Sequence, residues 1–443
     1  MTTIYPVYEK IITPELYIGA DATEELATKN RLAINRAVDD FTGEIGGTIR
    51  LPAGVIMVTG TGSASDGCIL MKDNVTLEGV GMGITTIRAY DSGDNQVTGI
   101  VRTQSGIINS YVDVRDLTID GNKDNQTGTG GNIGYYTGVT PASSDADNHI
   151  RCTRVEIINC KSTGSNTGYG FDAHEVTDNL VFVDCISHAN ERDGFTLDGC
   201  INFSVSNCRS YSNGRHGFNC ITGSQDGNIT NSVAYSNTDN GIVVQENALN
   251  INIVGNVVHS NSKEGILIRA GSTVTNTGCN VTGNIIRFNN RDGLTIRGSS
   301  DNIVSGNNAL DNGQTGGAYY DFLIETDSTN VATNNFICGN NATARQSNKT
   351  DYGFYEDAGT NPPNKNVFIG NNADGQDLGE ILVSGANTYA EGFSYTVASA
   401  PTASDWTGKT IYVSNGAAGS PILAFSDGTN WLRSDTGAAI ASS

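Results

Sequence analysis

The stretch HANERDGFTLDGCINFSVSNCRSYSNGRHGFN, residues 188–219, carries one pattern twice. A polar turn runs into Gly194-Phe195, a short β-rich run follows, and a second polar turn runs into Gly217-Phe218. The same pair type recurs at Gly170-Phe171, Gly241-Ile242, Gly265-Ile266 and Gly293-Leu294, so the six glycines are spaced by 24, 23, 24, 24 and 28 residues. Between them lie NLVFVDC, NFSVSNC, GNITNSV, INIVGNV and NVTGNII, each the length of one or two short strands. A period of this size in two or three strands per turn predicts a parallel β-helix, an architecture that grows in one dimension. That removes the need to divide 443 residues into several globular cores.

Composition agrees with strands joined by tight turns: 54 glycines, 8 prolines, and abundant Asn, Ser, Thr and Asp. The net charge of −21 argues against nucleic acid as a partner, and no apolar run has the length of a membrane span. MTTIYPVYEK lacks a basic segment followed by an apolar one, so no classical signal peptide is expected. The nine cysteines include no CxxC pair, and Cys160, Cys185 and Cys208 are expected as one buried column of thiols.

Aligning the coils on the glycine sorts the strand residues by face, because alternate residues point to opposite sides. Phe171, Phe195, Phe218, Ile242, Ile266 and Leu294 follow the glycine directly, and Ala173, Leu197, Cys220, Val244, Ile268 and Ile296 come two residues later. Both columns are apolar and face the core. The other parity faces outward, and stacking at about 4.8 Å gathers Tyr169, Asp172, His174, Asp193, Asp198, Arg215 and His216 into one patch. A basic strip of Lys263, Arg269, Arg291 and Arg297 is expected below it. A histidine among aspartates and an arginine is placed for titration near neutrality, so GYGFDAHEVTD, residues 168–178, is read as a proton-transfer site.

The ends differ in texture. In KNRLAINRAVDDF, residues 29–41, Leu32, Ile34, Ala37, Val38 and Phe41 recur at helical spacing, which predicts a short capping helix within an N-terminal cap at about 20–50. IRLPAGVIMV reads as the first strands. The coil module is expected over 1–375, a linker over 376–390, and a small β-hairpin module over 391–443 with Asn-Gly and Asp-Gly turns. That module holds Trp406 and Trp431, expected in its own core.

On these residues the chain resembles the catalytic module of the bacterial mannuronan C-5-epimerases. GYGFDAHE is similar to the family signature, with Ala173 where proline is usual, and the likeness continues through RDLTIDGNKDN, SHANERDGFTLD, YSNGRHGFN, GIVVQ and KEGILI, over about residues 20–375. The resemblance implies an all-β, right-handed parallel β-helix. It implies that Tyr169 and His174 are the proton-transfer pair, with Asp172, Asp198 and Arg215 as further catalytic residues. A family lysine falls where this chain has Arg269, which keeps the charge but as a fixed planar fork. Substrate contacts are expected from Arg269, Lys263, Arg297 and Gln245, from Asp193 and His216, and from Lys123 and Asp124 in the GNKDN loop.

The chemistry implied is inversion at C5 of a uronate. A cation such as Arg215 or Arg269 neutralises the carboxylate, a base removes the C5 proton, and an acid returns one from the opposite face. Tyr169 would need its pKa lowered by a cation such as Arg215. The residues leave open which of the pair abstracts. They also leave open β-elimination by the same site, which would make an alginate lyase. A carboxylate-pair hydrolase built on Asp172, Asp193 and Asp198 does not call for a Tyr-His pair. FSDGTNWLRSD resembles terminal segments of phage tail proteins, which keeps a virion-associated polysaccharide binder as the non-enzymatic alternative and suggests oligomerisation or particle attachment for the terminal module. Calcium is the one cofactor the resemblance brings, without assigned ligands, since GGxGxD repeats are missing; no organic cofactor is expected. The expected partner is an anionic polysaccharide, alginate or polymannuronate, and the expected location extracellular or virion-associated.

Overall fold

The computed structural model of the chain describes residues 10–441 except 42–45, 62–66, 92–96, 105–108, 128–129, 138–148, 165, 175–176, 276, 328, 348, 358–360 and 386. It divides into two compact units, Met1–Val243 and Val244–Ser443. Among the described residues no helix is long and apolar enough to cross a membrane.

In the first unit each turn of chain contributes three short parallel strands. Leu180–Val183, Ile186–His188 and Phe195–Asp198 are followed by Ser204–Ser206, Arg209–Tyr211 and Phe218–Ile221. Strands pair with their counterparts one turn on: Val181 with Ser204, Ile186 with Arg209, Phe195 with Phe218. The corner between the first two strands needs a left-handed residue, and Asp184, Asn207 and Asn231 supply it at φ 55°, 58° and 51°. Asn and Asp tolerate that conformation because their short side chains bond locally. In the second unit glycine takes over the corner, as at Gly283 and Gly306.

The inward columns fall as the alignment predicts. Phe171, Phe195 and Phe218 are fully buried and stacked, with ring centroids 4.5 and 4.9 Å apart. A second inward column is polar. Asn190 Nδ2 donates to Asn213 Oδ1 and Asn213 Nδ2 to Asn237 Oδ1, each at 3.0 Å. The second unit has its own ladders, and two of them end on buried carboxylates: Asn312 donates to Asp321, and Asn366 to Glu356.

The thiol column needs correction. The Cys160 backbone N–H donates to Asn190 Oδ1, so Cys160 heads the asparagine ladder. Cys185 and Cys208 lie in a different column, with Cys152 beside Cys185 and Ser232 below Cys208. A spacing near 24 is common to every column, so it could not tell them apart. Burial pushes the Cys152 and Cys208 thiols well up.

The capping helix spans Glu24–Asp39, starting earlier than the apolar spacing predicts. Thr23 caps it, its Oγ1 accepting from the Leu26 N–H, with Glu24 and Glu25 in the first turn. Ala27, Asn30, Ile34, Ala37 and Val38 are buried, whereas Leu32 is 49% exposed. The buried stripe centres on Ile34 and its i±3 and i±4 neighbours, and Leu32 falls off it. Asn35 explains the cap: it donates to the Cys68 carbonyl and accepts from the Leu70 N–H. It thereby occupies the backbone groups of the edge strand Ile69–Met71. A strand at Lys10–Ile12, absent from the sequence reading, pairs with Gly47–Ile49.

In the second unit the stretch 376–390 is not a linker. Gly379–Leu382 pairs with the strand Tyr352–Glu356, and Tyr389–Ala390 pairs with Val367 and Phe368. Weak side-chain patterning hid these strands, because backbone pairing carries them. Beyond them Ser394–Tyr395, Thr410–Ala417, Ser420–Ser426 and Trp431–Arg433 form a four-stranded sheet. Asp427-Gly428 makes a turn as expected, but Asn415-Gly416 lies within a strand at a β-bulge. The hairpin turns instead at Ala418-Gly419, both with positive φ. Trp431 is buried, donating from Nε1 to the Pro401 carbonyl, and Trp406 donates to the Asn387 carbonyl.

The ladder predicts a measurable cost. Asn213→Ala strands the donors of Asn190 and the acceptor of Asn237, and should lower stability by about 3 kcal/mol, read as a lower urea midpoint by circular dichroism.

Candidate active site

The strand Phe171–Ala173 pairs with Tyr135–Thr137 on one side and Phe195–Asp198 on the other. With the phenylalanines inward, the opposite parity sets Tyr136, Asp172, Thr196 and Asn219 in one outward row. This row floors a cavity of about 360 Å³, walled by Tyr169, His174, Asp198 and Arg215. The chain turns sharply after Ala173. The His174 N–H donates to Thr137 Oγ1 at 2.9 Å, and the His174 carbonyl accepts from Thr177 Oγ1 at 2.6 Å. These bonds fix the histidine at the rim. Glu175 of the same signature lies outside the described residues.

His174 Nδ1 lies 3.4 Å from Asp198 Oδ2. Burial alone would raise the Asp198 carboxyl, but hydrogen bonds from His174 and Thr222 outweigh it and hold the group below its ordinary value. The aspartate therefore stays ionised and can hold the Nδ1 proton, which leaves Nε2 as the basic atom. Asp172 behaves oppositely. It is 6% exposed, and among the described residues its carboxylate makes no hydrogen bond. Burial, with Asp198 and Asp193 nearby, pushes its pKa up to about 7.

Asp193 is fully buried, which corrects its place in an outward, substrate-facing patch. Its Oδ1 pairs with Arg215 Nε at 2.8 Å and accepts from the His216 N–H, and its Oδ2 accepts from Asn219 Nδ2. Asp193 is thus the anchor that aims Arg215, which keeps its terminal nitrogens on the cavity wall. His216 is also buried, its Nδ1 accepting from the Asn240 N–H. The expected lowering of Tyr169 is reversed: burial raises it and Asp193 adds to that, against the smaller opposing pull of Arg215.

Lys123 is placed elsewhere than expected. Its Nζ donates to the Ala189 carbonyl at 2.6 Å, bracing two coils, and Asp124 is exposed in the short turn Lys123–Asn125. Gln245, Lys263, Arg269 and Arg297 belong to the second unit. There the strip is not purely basic: Arg297 Nε pairs with Glu325 at 2.5 Å and its Nη2 lies 3.8 Å from Glu264. Arg269 faces Arg297 in register and makes no ion pair or hydrogen bond among the described residues. Gln245 is buried and Lys263 half-buried.

Tyr136 and Arg102 escaped the sequence reading. The Tyr136 ring lies 5.5 Å from the His174 imidazole, and the buried Arg102 guanidinium sits 4.7 Å from the centre of that tyrosine ring. The signal was the pair Gly134-Tyr135, which lies outside the regular 23–28 spacing because a longer loop follows it.

Asp172, His174 and Asp198 present one ligand atom each within 4.8 Å of one another. Calcium takes about six to eight oxygen ligands in a flexible shell. One imidazole and two carboxylates do not fit it.

A model described as a right-handed beta helix region matches residues 109–281. The chain is 40% identical over 198 residues to the mannuronan C5-epimerase AlgE4 of Azotobacter vinelandii, covering 44% of this chain and 34% of that protein. It is 43% identical over 195 residues to alginate lyase 7 of the same organism, covering 44% of this chain and 22% of that one. The chain thus spans about a third or less of the length of these curated relatives. Among solved structures, the A-module of the A. vinelandii mannuronan C-5 epimerase AlgE6 matches with a TM-score of 0.73 and 34% identity, over 82% of this chain and 94% of that one.

The raised Asp172 predicts a pH-dependent stability effect. Its folded pKa of about 7 lies above the unfolded value, so its destabilising charge is present above pH 7 and vanishes as the pH falls towards 4. Asp172→Asn should therefore stabilise the fold at pH 8.5, on the order of 4 kcal/mol, and by only about a third as much at pH 5, measured by thermal unfolding at both.

Proposed function

Because the chain belongs to the family of mannuronan C-5-epimerase A-modules, we propose that it inverts C5 of mannuronate residues in alginate, giving guluronate. The observation that carries this reading is the His174–Asp198 pair at 3.4 Å facing a cavity that Tyr169 also lines. With Asp198 ionised and holding the Nδ1 proton, His174 Nε2 takes the C5 proton. Tyr169, kept as a phenol by burial, donates its proton to C5 from the opposite face. Imidazolium and phenolate then reset by exchange with solvent. The anion formed between the two steps needs its carboxylate neutralised, and two groups can serve. Arg215 offers its terminal nitrogens, held in place by Asp193. Asp172, near half-protonated at neutral pH, can donate its O–H to a carboxylate oxygen.

β-Elimination uses the same first step. If Tyr169 delivers its proton to the glycosidic oxygen at C4, the C4–O bond breaks and an unsaturated end forms. The likeness to an alginate lyase as well as to epimerases supports keeping this as the second reading. Calcium enters the proposal only as a counter-ion between an anionic polymer and a chain of net charge −21. The polymer sets the place of action, extracellular or on a virion, and the terminal four-stranded sheet is the part proposed for attachment or oligomerisation.

Proton NMR of polymannuronate incubated with the protein in heavy water tests the reaction. Guluronate signals carrying deuterium at C5, without new chain ends, are the expected result; unsaturated ends would favour the lyase, and neither would overturn both. Tyr169→Phe and His174→Ala should each lower turnover by at least about a hundredfold with unchanged circular dichroism. Arg215→Lys should retain more activity than Arg215→Met, because a point charge still neutralises a carboxylate but cannot grip it with a fork.

A further inference from the structure

Strand pairing holds the chain as far as Ala173, which is in register with Thr137 one turn before and Leu197 one turn after. His174 is the next residue and lies beyond that strand. Its ring must nevertheless keep Nδ1 against Asp198 and present Nε2 to the substrate. Two threonine hydroxyls hold its backbone, and both residues are fully buried. The His174 N–H donates to Thr137 Oγ1 at 2.9 Å, and Thr177 Oγ1 donates to the His174 carbonyl at 2.6 Å. The two hydroxyl oxygens lie 2.9 Å from each other.

The donors available fix the order of the protons. A carbonyl has no proton to give, so the Thr177 hydroxyl proton lies in the 2.6 Å contact. A hydroxyl has a single proton, so Thr137 is the donor between the two threonines. The bonds therefore run head to tail, from the His174 N–H through Thr137 and Thr177 and back to the carbonyl of the same residue. Bonds aligned in one direction polarise one another, and no water competes for oxygens buried this deeply. The turn two coils on has the one-sided version: Ser224 Oγ donates to the Ile221 carbonyl at 2.9 Å, beside a side chain with no proton to move. At His174 a second hydroxyl closes the circuit.

We propose that Thr137 and Thr177 are positioning residues for the base: their closed circuit fixes the His174 backbone and, through it, the imidazole tautomer that leaves Nε2 free. The proposal rests on the reading of His174 as the base. The contact of Nδ1 with Asp198 is 3.4 Å, close to the limit of a hydrogen bond, so a small rotation of residue 174 breaks it. Loss of either hydroxyl opens the circuit, frees that rotation and lets both neutral tautomers populate. Thr137 follows Tyr136 in the strand that floors the cavity. The base is thereby referenced to the surface on which the substrate lies, one coil away from its own turn.

Nitrogen-15 NMR of the histidine rings in the full chain reads the tautomer directly, with His174 assigned by the signals lost in His174→Gln. At about pH 8, where an ordinary imidazole is neutral, the wild type should show the Nδ1–H form. Thr137→Val and Thr177→Val, which keep size and lose the hydroxyl, should each give a mixture of both forms with unchanged circular dichroism. Thr137→Ser and Thr177→Ser should restore the single form. Ser232→Ala removes a buried hydroxyl from the Cys208 column and should leave His174 as it is. Where a valine variant does not fold, the alanine variant at the same position replaces it. On polymannuronate the hydroxyl-less variants should lose at least about tenfold in kcat, with KM changed by less than about twofold. A wild-type tautomer in both hydroxyl-less variants would overturn the proposal, and so would an equal mixture in the serine variants. The NMR needs no substrate: if the wild type does not turn over polymannuronate, the reading of His174 as the base falls, while the spectra still decide whether the hydroxyls set the ring.

Discussion

Parallel pairing of each strand with its counterpart one turn later is the constraint on which the rest depends. It fixes one register for every face at once: Phe171 on Phe195 on Phe218 inside, and Tyr136, Asp172, Thr196 and Asn219 outside. A shift of one residue would put phenylalanine in the cavity floor and carboxylates in the core, and the apolar stack forbids it. The precision of the site is therefore inherited from the core. No flexible loop has to carry Asp172, because strand pairing on both sides holds its backbone.

The same register explains why charges crowd. Residues on neighbouring coils are about 4.8 Å apart whether or not they attract. Asp172, Asp193 and Asp198 are thus forced together, and the molecule treats each differently. Asp193 is matched by Arg215, Asp198 by His174, and Asp172 is left to the proton equilibrium. Three identical side chains acquire three electrostatic characters from their partners alone. This division of labour suits a reaction that needs an anchor, an orienting anion and a reversible proton donor in one small volume.

The coil architecture, the inward columns and the cluster of Tyr169, Asp172, His174, Asp198 and Arg215 were legible because they recur at a fixed distance from a glycine. What the sequence did not reveal follows from the limits of that signal. Periodicity gives the row but not the column, so Cys160 was assigned to the wrong ladder. It gives the face but not the partner, so the buried pairing of Asp193 and the acids interleaved with Arg297 were invisible. It fails where the period stretches, which hid Tyr136. It also fails where strands pair with little side-chain pattern, as in 376–390. The direction of the Tyr169 shift depends first on its burial and then on the nearness of Asp193, and spacing along the chain gives neither.

The asparagine ladders of the second unit that terminate on Asp321 and Glu356 bear on how such a chain can change its length. Within a ladder each amide both donates and accepts, so a whole coil can be inserted or removed and its neighbours still match. At the last rung the final donor meets a carboxylate, which accepts but passes nothing on. Later coils meet that rung as donors, Thr350 Oγ1 and Gln376 Nε2 both giving to Asp321 Oδ2, whereas a further asparagine would find no donor for its amide oxygen. Each such ladder is therefore open to added rungs in its interior and closed at its acid, while the strands themselves run on past Asp321.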